Sequence, residues 1–123
     1  QEREKMTVIH DQFGAPTGAA LLADITALAI QAPHRLSGVY HLAAAGETTW
    51  HAYASYVLKT AKQFKPDLAY KVKEVAAVPT SEFPTPAQRP LNSRLNCIKL
   101  QQVLQCQLPD WQKGVETMLS KIL

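Results

Sequence analysis

Four prolines between positions 79 and 90 restrict this chain more than any other feature. The stretch reads Pro79-Thr80-Ser81-Glu82-Phe83-Pro84-Thr85-Pro86-Ala87-Gln88-Arg89-Pro90-Leu91-Asn92-Ser93-Arg94-Leu95-Asn96. Pro79, Pro84, Pro86 and Pro90 fix φ and delete backbone donors, so no α-helix or central strand runs through it. Each residue before a proline is pushed toward extended geometry. A stiff surface segment is predicted, carrying Arg89 and, at its far end, Asn92 and Arg94. Two readings stay open. It is a rigid connector, or a pre-ordered loop that loses little entropy on closing over a ligand.

The remainder alternates strand and helix signals. Residues 6–11, with Val8 and Ile9 at their centre, predict a short strand. Gln12-Phe13-Gly14-Ala15-Pro16-Thr17-Gly18 reads as a turn of unusual backbone angles. Thr17 is placed to cap the helix that follows. That helix buries Leu21, Leu22, Ile25, Leu28 and Ala29 and stops at Pro33. Residues 39–43, Val-Tyr-His-Leu-Ala, are almost wholly apolar and predict a strand covered on both faces. A second helix begins near Thr48 or Thr49, with Trp50, Tyr53, Ala54, Val57, Leu58 and Ala61 as its apolar stripe.

Residues 70–78 predict a third strand. Asn96 is placed to cap a short helix over 97–104, and Asp110 a last one that buries Trp111, Val115, Met118, Leu119 and Ile122. The pattern is α/β, with few short strands and about four helices. So thin a sheet for this much helix implies completion from outside the chain or a small, helix-rich unit.

The 123 residues fit one domain, 1–123. A net charge of +3 comes from scattered basic residues without interleaved aromatics, so nucleic acid is not an expected partner. No run of 18 apolar residues predicts a membrane span, and no apolar segment follows the polar start as in a secretory signal. Cys97 and Cys106 lack a second ligand pair, and read as two reduced, part-buried thiols of a cytoplasmic protein. None of His10, His34, His41 and His51 pairs at metal-ligand spacing. His41 is expected in the core and His51 in solvent.

The glycines at 14, 18, 38, 46 and 114 form no phosphate-cradling repeat. Tyr40, Tyr53, Tyr56 and Tyr70 are followed four residues on by Ala44, Val57, Thr60 and Glu74, never by lysine. This chain therefore contains neither a dinucleotide turn nor a tyrosine-lysine acid pair, and no catalytic or cofactor-binding residue is assigned to it.

Several stretches, in order, resemble the C-terminal part of the dTDP-4-dehydrorhamnose reductases, which are extended short-chain dehydrogenases/reductases. They are Asp11-Gln12-Phe13-Gly14-Ala15-Pro16-Thr17, Gly38-Val39-Tyr40-His41-Leu42 and Thr49-Trp50-His51-Ala52-Tyr53-Ala54, then most of 79–95, then Leu108-Pro109-Asp110-Trp111. The resemblance implies the substrate-binding part of an enzyme that reduces dTDP-4-dehydro-L-rhamnose to dTDP-L-rhamnose for bacterial surface polysaccharide. NADPH or NADH would serve the full-length parent, with none bound to this chain. The N-terminal Rossmann half, with the glycine turn and the Tyr/Lys pair, would lie outside the chain. Residues 39–43 would be one of the last strands of its sheet.

By the same analogy Arg89 is expected on the substrate pyrophosphate. Gln12 and Thr17 are expected near the nucleotide, Gly14 at a close backbone approach and Asn92 beside them. Gln12 and Thr17 read equally well as turn and cap, and Arg94 is expected to be a surface or packing arginine. Some relatives hold a magnesium ion between subunits through glutamates. Ala20 and Lys121 stand where those would be sought, so no metal is expected. An alternative is a non-catalytic regulatory module of the same domain family. Detached from its other half, the chain is expected to be inactive and to self-associate through an uncovered apolar face.

Overall fold

The structure, a computed structural model, describes residues 4–33 and 36–123, so His34 lies outside the described residues. Strand β1, Lys5–Ile9, pairs in parallel with β4, Glu74–Val78, and Ile9 faces Val78 at their common end. A two-residue strand β2, Phe13–Gly14, pairs antiparallel with β3, Thr48–Thr49. Four α-helices complete the described residues: α1, Ala19–Gln31; α2, Trp50–Phe64; α3, Ile98–Leu104; and α4, Trp111–Ile122. This is the mixed α/β arrangement of few short strands and four helices that the sequence predicts.

Helix α2 starts where its sequence says it should. Thr49 is the N-cap, and its hydroxyl accepts from the Ala52 N–H at 3.2 Å. The helix lies against both β1 and β4. Half-buried His51 donates a ring N–H to the Val75 carbonyl at 2.9 Å, so it is a strut between helix and strand and not a solvated side chain. On the other side α2 packs on α4. Trp111, Val115 and Leu119 are buried there with Ala44 and Ala61, and Tyr53, Tyr56 and Val57 close over them. The Tyr56 hydroxyl donates to Glu116 at 2.8 Å across the same contact. A second cluster joins Ile25 of α1 to Leu100 and Leu108, and Leu21 touches both clusters.

Several expectations are corrected. No ladder forms over 39–43, and Val39 is 75% exposed. A strand needs a partner, and no other described segment pairs with this one. Its carbonyls meet side chains instead, as with Lys99 Nζ on Val39 O at 2.9 Å. His41 is exposed, pointing away while Tyr40 and Leu42 on either side of it pack on the cluster of Ile25, Leu100 and Leu108. The strand expected over 70–78 pairs only from Glu74, although Val72 is buried.

Thr17 does not cap α1. Gly18 holds that position, and the Thr17 hydroxyl donates to Ala15 O and accepts from Ala44 N, at 2.9 and 3.0 Å. Asp110 is the N-cap of α4 without a side-chain bond. Asn96 sits one residue before the N-cap Cys97, though its side chain does accept from Ile98 N at 3.0 Å. Of the expected buried faces, Leu22, Leu28, Trp50, Met118 and Ile122 remain exposed. The proline-rich segment is exposed from residue 81 onward and holds only one short 3-10 turn, Thr80–Glu82.

Candidate functional site

The parallel register of β1 and β4 delivers two segments to one end of the sheet. One is the turn after Ile9, the other the proline-rich segment after Val78. They are clasped there. The Asp11 carboxylate accepts from Thr80 N at 3.0 and 3.1 Å and from the Thr80 hydroxyl at 2.6 Å. These bonds hold the Asp11 carboxyl below its usual range, with a smaller contribution from the charge of His10. Thr80 Oγ1 in turn accepts from Gln12 Nε2 at 3.3 Å.

Downstream, the backbone of Phe13 joins three segments. It pairs with Thr49 in β3. It also bridges in parallel to Asn92, with Phe13 N donating to Leu91 O and Ser93 N donating to Phe13 O, both at 2.8 Å. The proline-rich segment is therefore held at both ends, by Thr80 and by 91–93, with its tip free between them.

A hollow of about 200 Å³ opens over this junction, walled by Gln12 to Pro16, Thr48 to Trp50, Tyr53 and Ser93. Its walls are a mixture suited to an amphipathic ligand. Gln12 and Thr48 are buried polar groups, each 9% exposed, while Phe13 and Trp50 remain open to solvent. Trp50 meets Tyr53 edge to face, with ring centroids 6.2 Å apart. The outer edge is braced by Arg94, whose guanidinium lies 5.4 Å from the centre of the Phe13 ring. Arg94 Nε also donates to Asn92 Oδ1 and its NH1 to Glu47, both at 2.9 Å. Arg94 thus packs, as its sequence context predicts.

The expected site residues fall into four groups. Gln12 and Gly14 stand in the hollow. A Cβ on Gly14 would meet only Ser93 Cβ at 3.8 Å, so the fold itself does not demand glycine there. Thr17 lines an adjoining groove of about 580 Å³ between the start of α1 and α4, with its hydroxyl already engaged. Asn92 lends its side chain to Arg94 and its backbone to Phe13. Arg89 lines neither cavity; it is exposed and, among the described residues, forms no ion pair. It is two residues from Leu91, within about 7 Å of that anchor along the backbone.

Phe13, Trp50 and Tyr53 escaped the sequence reading as wall residues. Trp50 and Tyr53 fall on the apolar stripe of α2, yet Trp50, at its first position, stays open to solvent. Among the described residues no cluster of His, Cys, Asp and Glu fits a metal ion. No helix there is long and apolar enough to cross a membrane.

Comparison with known proteins identifies the family. A dTDP-4-dehydrorhamnose reductase of Shigella flexneri is 52% identical over 125 residues, covering 99% of this chain and 41% of that protein. The corresponding protein of Escherichia coli strain K12 is 50% identical over the same shares. The chain thus spans about two-fifths of the length of these relatives. A crystal structure of a Bacillus anthracis dTDP-4-dehydrorhamnose reductase in complex with NADP superposes with a TM-score of 0.83 at 31% identity, over 98% of this chain and 39% of that one. The sequence profile described as the RmlD substrate binding domain matches residues 1–123 throughout, and the chain belongs to that family.

Proposed function

We propose that this chain forms the sugar-nucleotide wall of an NAD(P)H-dependent reductase that converts dTDP-4-dehydro-L-rhamnose to dTDP-L-rhamnose for bacterial surface polysaccharide, in the cytoplasm. The observation that carries the reading is the hollow at residues 12–16, where open aromatic faces and a buried amide meet beside a braced loop. A dTDP-sugar has matching parts: a flat base, a hydroxylated ring and a pyrophosphate.

In this reading Gln12 and Gly14 contact the ligand inside the hollow. Asn92 fixes the edge through Arg94, and Thr17 holds the turn to Ala44. Arg89, free of ion pairs among the described residues, swings onto the pyrophosphate from the free tip. NADPH or NADH and the proton-donating pair belong to the N-terminal half of the longer protein. The chain alone holds substrate, performs no reduction, and self-associates through surface that the other half would cover.

Titration of the complete protein with dTDP by calorimetry tests the site. Arg89→Ala is expected to weaken binding about tenfold, as for a lost charge-assisted contact. Equal affinity removes Arg89 from the site. Oxidation of NADPH on adding the 4-keto sugar nucleotide tests the reaction; a protein that binds dTDP but never turns over is a regulatory module.

A further inference from the structure

The hydroxyl of Thr80 has one proton, and it lies 2.6 Å from Asp11 Oδ1. An ionised carboxylate only accepts, so that proton belongs to the bond with Asp11. Thr80 Oγ1 is left with lone pairs alone. Gln12 stands 3.3 Å away and must turn its Nε2 donor toward Thr80. The chemistry of the chain Asp11, Thr80, Gln12 thus fixes which end of the amide points where. Among the described residues Gln12 Oε1 has no hydrogen-bond partner, yet no buried side-chain polar atom there is left unsatisfied. Oε1 therefore reaches open space, and the space that Gln12 lines is the hollow.

We propose that Asp11 and Thr80 are positioning residues that lock the Gln12 amide with its carbonyl oxygen facing the hollow, so that this position reads a hydrogen-bond donor. The group it takes is an N–H or O–H, as on the imide of a pyrimidine base or a sugar hydroxyl. A phosphate oxygen, which only accepts, is turned away. The ligand classes rest on the nucleotide-sugar reading above, whereas the orientation of the amide does not.

Three substitutions in the complete protein separate the amide orientation from the identity of the ligand. In Asp11→Asn an amide nitrogen replaces one carboxylate oxygen and donates to Thr80 Oγ1. The hydroxyl proton then turns to Gln12, and the Gln12 amide inverts. Thr80→Val deletes the relay, while Thr80→Ser keeps it. In the unsubstituted protein, nuclear Overhauser contacts are expected between the Gln12 side-chain N–H protons and the Thr80 methyl group, and they are expected to vanish in Asp11→Asn. Affinity is then compared for dTDP, its N3-methyl analogue and dTDP-rhamnose.

Asp11→Asn and Thr80→Val are expected to lose about tenfold in affinity, with Thr80→Ser within about twofold, for whichever ligand carries the donor. If the donor is the imide, N3-methylation weakens dTDP by a similar factor. If it is a rhamnose hydroxyl, only dTDP-rhamnose responds to the substitutions; if it is the 3′-hydroxyl of the deoxyribose, all three ligands respond and N3-methylation changes nothing. Contacts absent from the unsubstituted protein, contacts unchanged in Asp11→Asn, or variants that bind all three ligands normally overturn the proposal. Should the unsubstituted protein bind none of the three, the nucleotide-sugar reading falls, and the Overhauser contacts still judge the amide.

Discussion

A methyl group on Gly46 would stand 3.3 Å from Cδ1 of Trp111, and Gly46 itself has φ +78°. A tight contact and a left-handed backbone angle both disfavour a side chain there. The turn matters because its neighbour Ala45 bonds Pro109 and the Trp111 N–H, fixing the start of α4. Gly46→Ala is expected to cost about 1–2 kcal/mol, read from the urea midpoint at constant slope. Gly14→Ala is its control, with an expected change within about 0.5 kcal/mol. An equal loss at both positions contradicts the argument.

Trp111 joins α2, α4 and the 43–45 segment, packing edge to face on Tyr56 with ring centroids 5.0 Å apart. It is 6% exposed. Trp111→Ala is expected to cost about 3–5 kcal/mol through lost burial and the remaining cavity. Thermal unfolding followed at the α-helical band measures it.

The Thr49 hydroxyl satisfies one of the free N–H groups that open α2. Thr49→Ala is expected to destabilise by about 1 kcal/mol, whereas Thr49→Ser keeps most of the stability. Chemical denaturation of the pair distinguishes loss of the cap from loss of the side chain's bulk.

Hydrogen bonds from Thr80, aided by the nearby charge of His10, lower the Asp11 carboxyl in the folded chain. A depressed carboxyl stabilises the fold above its unfolded value, and that contribution fades as pH falls through the folded one. The gap in urea midpoint between the unsubstituted protein and Asp11→Asn is expected to be flat from pH 7 to 5 and to shrink below about pH 4, near the unfolded carboxyl value. A gap that stays constant down to pH 2 removes the linkage.

Gln105 ends α3 in the left-handed region at φ +48°. Glycine takes that angle without strain, so Gln105→Gly is expected to stabilise by about 0.5–1 kcal/mol. A lowered melting temperature refutes it.

Locally determined features were legible in the residues. Thr49 before Trp50, a clean stripe and Pro66 beyond it specify α2 within one turn at each end. The wall at Gln12 and Gly14 was traceable because glycine and proline crowd one turn. Features that depend on distant partners were not. Residues 39–43 have the composition of a strand, but pairing is a property of two segments, and no described segment pairs with them. Thr17 looks like a cap until Ala44, 27 residues away, supplies an N–H that needs an acceptor. The same limit hid the Asp11–Thr80 clasp, whose members are 69 residues apart in sequence and adjacent only through the β1–β4 register.

Because Thr80 and Leu91 are each tethered to the turn beginning at Asp11, the segment between them is an arch anchored through its two ends, and none of its residues lines the hollow. Residues 83–90 can change length or composition without shifting Phe13 or Gln12. Such an arch is an exchangeable part. Grafting a different tip between the same two tethers would alter what approaches from above while the amide and aromatic floor stay in register.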